Sequence, residues 1–328
     1  MQQAEFFEVD NGDVRLRVVV SGTEQGTKHG GGPVILCVHG WPELWYSWRH
    51  QMQHFSARGF RVAAMDVRGY GGSSKPHPVS AYTMVSLTAD VAAVIRALGD
   101  GPVILFGHDW GAPIVYNTAL LYPELVSAVG GLSVPYRPAG DVPFLELAKQ
   151  LYPDRFFYQL YFQQEGAVEA EVEADWPSAL RKLYYALSGD APLGEFVKEK
   201  PADAGLLDEL VDPDPFPSWM SADDLQVYVD AFAAGGFRGP INRYRAQPQD
   251  FEDLAELRGR LLAQPACFIG GERDAVRLFV PGLDMYGDLA GGYEDLRENV
   301  IVPGAGHWIQ QEAPGPTNEA LQRFVEGL

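Results

Sequence analysis

An aspartate stands at the centre of Gly107-His108-Asp109-Trp110-Gly111. The frame G-x-Nuc-x-G is that of a nucleophile elbow, where a strand turns sharply into a helix and holds the central side chain clear. Serine is the usual occupant, and it must lose a proton before it attacks. Aspartate is already ionised at pH 7. It attacks directly and leaves an alkyl-enzyme ester instead of an acyl-enzyme. The substrate it suits is electrophilic carbon, as in an epoxide or a carbon–halogen bond. Val103–Phe106 gives an apolar strand before the turn and Ala112–Leu120 a helix after it. Pro113 falls in the first helical turn, where its missing N–H does no harm.

Breaking down such an ester takes a base and a group that orients the base, and in this architecture they follow the nucleophile in the order acid, then histidine. Of seven histidines only His307 lies downstream of Asp109. It sits in Pro303-Gly-Ala-Gly-His307-Trp308, a loop of small residues directly after a strand; the plainer alternative is a solvated loop histidine. Gly271-Glu272-Arg273-Asp274 offers two carboxylates. The G-x-x-D spacing selects Asp274 and leaves Glu272 as a surface charge. The loop Val134–Pro138, where an acid could also stand, has none. The oxyanion of a tetrahedral intermediate needs two backbone N–H donors. Trp110 follows the nucleophile, and Trp41 lies in the loop His39-Gly40-Trp41-Pro42-Glu43. Gly40 lets the backbone pass close to a substrate and Pro42 stiffens the turn. His39 reads as a structural hydrogen-bonding residue.

The elements that must position these groups alternate along the chain. Glu5–Val9 and Val14–Ser21 read as a hairpin around Asn11-Gly12. Val34–Val38, Arg61–Asp66, Val103–Phe106 and Val126–Ser133 are apolar runs suited to strands covered on both faces, with a helical pattern at Thr88–Leu98. The order predicts an α/β fold with a mostly parallel, doubly wound sheet. From Pro135 to about Asp250 no strand pattern appears, only aromatic-rich helical stretches broken by proline loops; the acidic cluster Glu165–Asp175 reads as a solvated helix face. Strands return at Ala266–Gly270 and Val300–Val302, with a closing helix near Asn318–Phe324. The expected organisation is residues 1–135 and 251–328 as two parts of one α/β core, and residues 136–250 as an inserted helical cap. Ligands in such sheets bind beyond the carboxyl ends of the strands, where the cap would close.

Three stretches resemble the epoxide hydrolases of the α/β-hydrolase fold: His39-Gly-Trp-Pro-Glu-Leu-Trp-Tyr-Ser-Trp-Arg49, Asp66-Val-Arg-Gly-Tyr-Gly71 and Gly107-His-Asp-Trp-Gly-Ala112. The resemblance runs from about residue 30 to the C-terminus. It implies two cap tyrosines that grip the epoxide oxygen. The segments Phe157–Gln163 and Gly236–Arg245 carry them over to Tyr158 and Tyr244, while Tyr161 reads as a wall. It also offers Glu43 and His108 as groups that position water, with scaffolding behind the site as the equal alternative. The expected reaction turns an epoxide and water into a vicinal diol. The alternative is haloalkane dehalogenation, which uses the same aspartate but holds halide with N–H donors, often an asparagine where Trp41 stands.

Composition narrows the partners. The 328 residues are 46% hydrophobic and 21% charged, ordinary for a globular protein, and the net charge is −19. Nucleic acid and anionic membranes are therefore poor partners, and the expected one is a small-molecule epoxide. Neither a signal peptide nor a bilayer-length apolar run is visible. Cys37 and Cys267 lie in strand-like runs and read as buried free thiols, which points to the cytoplasm. No metal-ligand spacing appears, so neither metal nor cofactor is expected. Monomer and homo-oligomer both remain open.

Overall fold

The computed structural model describes residues 4–22, 33–99 and 101–328; His29 falls outside them. Among the described residues eight strands form one sheet: β1 (Glu5–Asn11), β2 (Val14–Ser21), β3 (Ile35–Val38), β4 (Val62–Met65), β5 (Val103–His108), β6 (Val126–Leu132), β7 (Ala266–Gly271) and β8 (Leu296–Val302). Their spatial order is β1-β2-β4-β3-β5-β6-β7-β8. The pairs β1–β2 and β2–β4 are antiparallel, and the rest of the sheet is parallel. This is the expected α/β-hydrolase architecture.

Burial follows position. β3, β4, β5 and β7 are buried at every residue, as their unbroken apolar runs require. Edge strands β1 and β8 alternate instead. That alternation, through Arg297, Glu298 and Asn299, hid the first half of β8 from the sequence reading. Helix α1 (Arg49–Ser56) covers one face of the sheet, with Met52 and Phe55 against Ile35, Cys37 and Phe106. Helices α2 (Met84–Leu98) and α3 (Gly111–Leu121) cover the other, against Leu36, Val38 and Leu105. α2 starts four residues before the expected Thr88, because the Thr83 side chain accepts from Ser86 N–H and caps it there.

Between β6 and β7 the chain is helical: α4 (Phe144–Leu151), α5 (Tyr158–Tyr161), α6 (Ala167–Glu173), α7 (Trp176–Leu187), α8 (Ala222–Gly235), α9 (Arg238–Arg245) and α10 (Gln247–Asp253). Two helices follow the last strand, α11 (Ile309–Glu312) and α12 (Pro314–Glu326). Pro314 begins α12 earlier than expected, a first-turn proline being no obstacle.

The acidic cluster is a solvated face only in part: Glu165, Glu173 and Asp175 are exposed, but Glu169 is buried and Glu171 half-buried. Glu169 makes a two-armed pair with Arg245, at 2.5 and 2.9 Å. Glu171 accepts from the N–H groups of Leu206 and Leu207 and from Tyr161, and Glu173 from Phe237 N–H. These carboxylates knit the helical segment together.

The chain leaves β3 toward β4 on one side, and its later strands build from β5 on the other. The crevice beyond β3 and β5 is thus a topological switch point, the usual ligand position of such sheets. In register Val38 pairs with Gly107. That pairing sets the loop at Gly40-Trp41 directly beside Asp109 and Trp110.

Candidate active site

The turn after β5 is strained. Asp109 has φ +50°, and its carbonyl accepts from Ala112 N–H as α3 begins. A non-glycine residue in the left-handed region costs about 1–3 kcal/mol and persists only where its surroundings hold it. Here the glycines on either side permit the closeness that does so. A Cβ on Gly107 would lie 2.2 Å from the carbonyl oxygen of Gly111. A Cβ on Gly40, across the crevice, would lie 2.3 Å from Asp109 Oδ1.

Asp109 meets its expected partners. Trp41 N–H donates to Oδ1 at 2.6 Å, and His307 Nε2 stands 3.5 Å from Oδ2. His307 Nδ1 lies 3.1 Å from both oxygens of Asp274. Asp274 is fully buried. Tyr286 O–H donates to its Oδ2 at 2.6 Å and Val276 N–H to its Oδ1 at 2.9 Å. Burial alone would raise the Asp274 carboxyl, but the charge and hydrogen bond of His307, with Tyr286 and Val276, hold it below its usual value. The converse applies to His307. Burial opposes its charge, yet Asp274 and then Asp109 raise it well above the ordinary imidazole value.

The histidine loop is braced from behind. His307 N–H donates to Leu187 of α7, and its carbonyl accepts from Ser133 O–H at 2.6 Å and from His108 Nε2 at 2.7 Å. His108 Nδ1 lies 2.6 Å from Glu43 Oε2. Both ring nitrogens of His108 are thus engaged by the protein, and neither is left for water. The other Glu43 oxygen takes the amides of Gln310 and Gln311. Burial opposes the Glu43 charge, but His108 holds its carboxyl below the usual value. His39 is structural, as expected. Val67 N–H donates to its Nε2, so Nδ1 carries the proton given to the Gly40 carbonyl.

Tyr158 opens α5 and Tyr244 lies near the end of α9; both are buried. Their ring centroids are 5.8 Å apart, and Tyr244 stands edge-on to Trp41 and Trp110 at 6.0 and 5.3 Å. Burial first, then the charge of Asp109, pushes both phenols above their ordinary value. The helical segment therefore brings both hydroxyls into the field of the carboxylate. Tyr161 is spent on Glu171. A cavity of about 920 Å³ reaches Trp110 between α4, α5 and α10, lined by Phe144, Leu160, Gln163 and Gln247 among others.

Three contributors carry no sequence signal of their own: Tyr286, Ser133 and Glu312. Glu312 accepts three backbone N–H groups, from Trp308 at 2.8 Å, Gly306 at 3.0 Å and Gly189 at 2.7 Å. It clasps the histidine loop to the end of α7, and burial still pushes its carboxyl up to about 7. Among the described residues no group of three or more His, Cys, Asp or Glu side chains could hold a metal, and no helix is long and apolar enough to cross a membrane.

Residues 33–314 match a family described as the alpha/beta hydrolase fold. Epoxide hydrolase A of Mycobacterium tuberculosis (strain ATCC 25618 / H37Rv) is 38% identical over 324 residues, covering 98% of this chain and 97% of that one. Among solved structures, an epoxide hydrolase from an endophytic Streptomyces superposes with a TM-score of 0.92 at 40% identity, covering 100% of this chain and 96% of its own. Epoxide hydrolase A from Mycobacterium thermoresistibile superposes with a TM-score of 0.91 at 38% identity, covering 99% of both chains.

Proposed function

The chain belongs to the α/β-hydrolase fold family and is an epoxide hydrolase, and we propose that it works through a covalent ester on Asp109. Trp41 N–H occupies Oδ1, so Oδ2 is the free oxygen and attacks an epoxide carbon. The ring C–O bond breaks toward oxygen, and Tyr158 and Tyr244 donate to the emerging alkoxide, one of them giving its proton. Alkylation removes the charge of Asp109, one of the groups that keeps His307 protonated. His307 then releases its proton, which replaces the one the phenol gave, and becomes a neutral base oriented by Asp274.

Neutral His307 takes a proton from water as the water oxygen attacks Cγ of Asp109. The negative charge gathers on Oδ1 against the N–H groups of Trp41 and Trp110; a single such donor is worth about 2.7–4 kcal/mol elsewhere. Collapse breaks the bond from Cγ to Oδ2, which leaves on the substrate carbon as an alkoxide and takes the proton of the new carboxyl. A vicinal diol leaves, and the Asp109 carboxylate and His307 imidazolium are restored. No step draws on a metal or cofactor. Glu43 and His108 act as braces of the histidine loop.

One observation carries this reading: a single carboxylate with one oxygen on a backbone N–H and the other facing a histidine, beneath two buried phenols. A halide would have no use for the phenols, so a bromoalkane should release no bromide. We place residues 1–135 and 251–328 in the catalytic core and 136–250 in a cap that closes it. The two buried free cysteines suit a reducing compartment, in keeping with the cytoplasm. The test is His307→Gln. Attack survives and ester breakdown fails, so intact mass spectrometry after adding styrene oxide gives one stable adduct, mapping to Asp109. Unmodified protein contradicts the scheme.

A further inference from the structure

Tyr158 can serve ring opening only if its one hydrogen points at the substrate. A phenol buried among aromatic rings gives that hydrogen to the strongest acceptor nearby, and a glutamine amide stands next to it. Gln159 is buried, and its amide lies 2.8 Å from the Tyr158 hydroxyl oxygen. If the carbonyl end of that amide faced the phenol, it would capture the hydrogen. Which end faces it is settled three bonds away.

The starting point is the backbone carbonyl of Tyr244, which can only accept. Gln247 meets that carbonyl at 3.1 Å, so the Gln247 atom there must be its NH₂ group. The same NH₂ group reaches Gln159 at 3.0 Å, and the Gln159 atom facing it must therefore be the carbonyl oxygen. The other end of the Gln159 amide, the one beside Tyr158, is then the donor. Gln163 occupies the remaining side of the Tyr244 carbonyl at 3.2 Å and also donates to the Gln159 backbone carbonyl at 2.8 Å, holding the two segments in register.

We propose that Gln247 and Gln159 form a polarity relay that makes the Tyr158 oxygen an acceptor on its protein side and so leaves its O–H for the epoxide oxygen. The relay also joins the two tyrosines: the backbone of one sets the hydroxyl direction of the other. A donor on the phenol oxygen stabilises the phenolate left when Tyr158 gives up its proton. Gln159 and Gln247 are positioning residues that touch neither Asp109 nor His307. The inference rests on the reading of Tyr158 as a ring-opening donor.

Two isosteric variants reverse the relay. In Gln159→Glu an acceptor replaces the NH₂ group beside Tyr158 and takes its hydrogen. In Gln247→Glu the new carboxylate cannot donate to Gln159, so the Gln159 amide turns over and presents its oxygen to Tyr158. Gln247 is only half-buried and does not touch the phenol, so this second variant reaches Tyr158 through the relay; because Gln247 also lines the cavity, adduct formation is read at saturating styrene oxide. Rapid-quench intact mass spectrometry with styrene oxide reads formation of the Asp109 adduct in a single turnover. At pH 8 each variant slows adduct formation about 100-fold, the scale of losing a positioned proton donor. At pH 5 the ratio to the parent recovers, because a protonated carboxyl can donate where the amide did. Circular dichroism melts confirm folding. Parent-like adduct formation in Gln247→Glu at pH 8, beside a slow Tyr158→Phe, overturns the relay and leaves the reading of Tyr158 standing. Parent-like adduct formation in Tyr158→Phe overturns both.

Discussion

Replacing Gly40 by alanine adds one methyl group and should disable the enzyme. The new Cβ would lie 2.3 Å from Asp109 Oδ1, 2.5 Å from Asp109 Cβ and 2.5 Å from the backbone nitrogen of Trp110. Ordinary contact begins more than an ångström further out, so about 1 Å must be absorbed, and no flexible surface chain is available to absorb it. The atoms that must move belong to the proposed nucleophile and one proposed oxyanion donor, while the other proposed donor, Trp41 N–H, is the next residue along. A misplacement of about 1 Å costs on the order of 100-fold in rate, and loss of one oxyanion donor about 100- to 1,000-fold. Overpacking also lowers stability by about 1–3 kcal/mol. Rapid-quench measurement of adduct formation and breakdown should find both slowed at least 100-fold in a protein that still melts cooperatively. Gly315→Ala, where an added Cβ meets nothing, is the control and should match the parent. Gly40→Ala turning over within a few-fold of the parent would refute this reasoning, because the crevice would then have slack that the geometry denies it.

Two further predictions concern how the site is held. Burial raises the Glu312 carboxyl to about 7 in the folded protein, from about 4.5 when free. The folded state thus binds this proton more tightly, and the resulting stability is fully present below about pH 4.5 and lost as pH rises through 7. That is about 3 kcal/mol. Urea unfolding from pH 4.5 to 8 should show this decline in the parent and a flatter profile in Glu312→Gln; equal slopes would count against it. Glu169→Ala strands the Arg245 guanidinium, whose side chain is only 6% exposed. It should lower unfolding free energy by about 3–5 kcal/mol, the cost of breaking a buried pair; a loss under 1 kcal/mol would return Glu169 to the solvated face the sequence suggested.

The proposed site was legible because this architecture places its candidate groups on short loops directly after strands. Asp109, Asp274 and His307 each follow an apolar run, and the Trp41 loop follows another, so residue type and spacing located them together. The inner strands were visible for a related reason: a buried parallel sheet writes unbroken apolar runs into the chain, whereas β1 and β2 showed through their hairpin turn and only the second half of β8 was seen. What stayed hidden was the support. Glu312 works by accepting backbone N–H groups, and Gln247 by meeting a backbone carbonyl; neither partner has a side chain that could mark it. Tyr286 reaches Asp274 from an irregular loop with no periodicity. The acidic cluster misled because charge alone does not say whether a partner stands 76 residues away, as Arg245 does from Glu169.

The central claim is that the oxygen entering the diol comes from Asp109 and not directly from water. A single turnover with enzyme in excess, run in ¹⁸O-enriched water, tests it. The first diol should carry only unlabelled oxygen, while the peptide containing Asp109 gains one heavy oxygen. Label appearing in that first diol, with none in Asp109, would contradict the account.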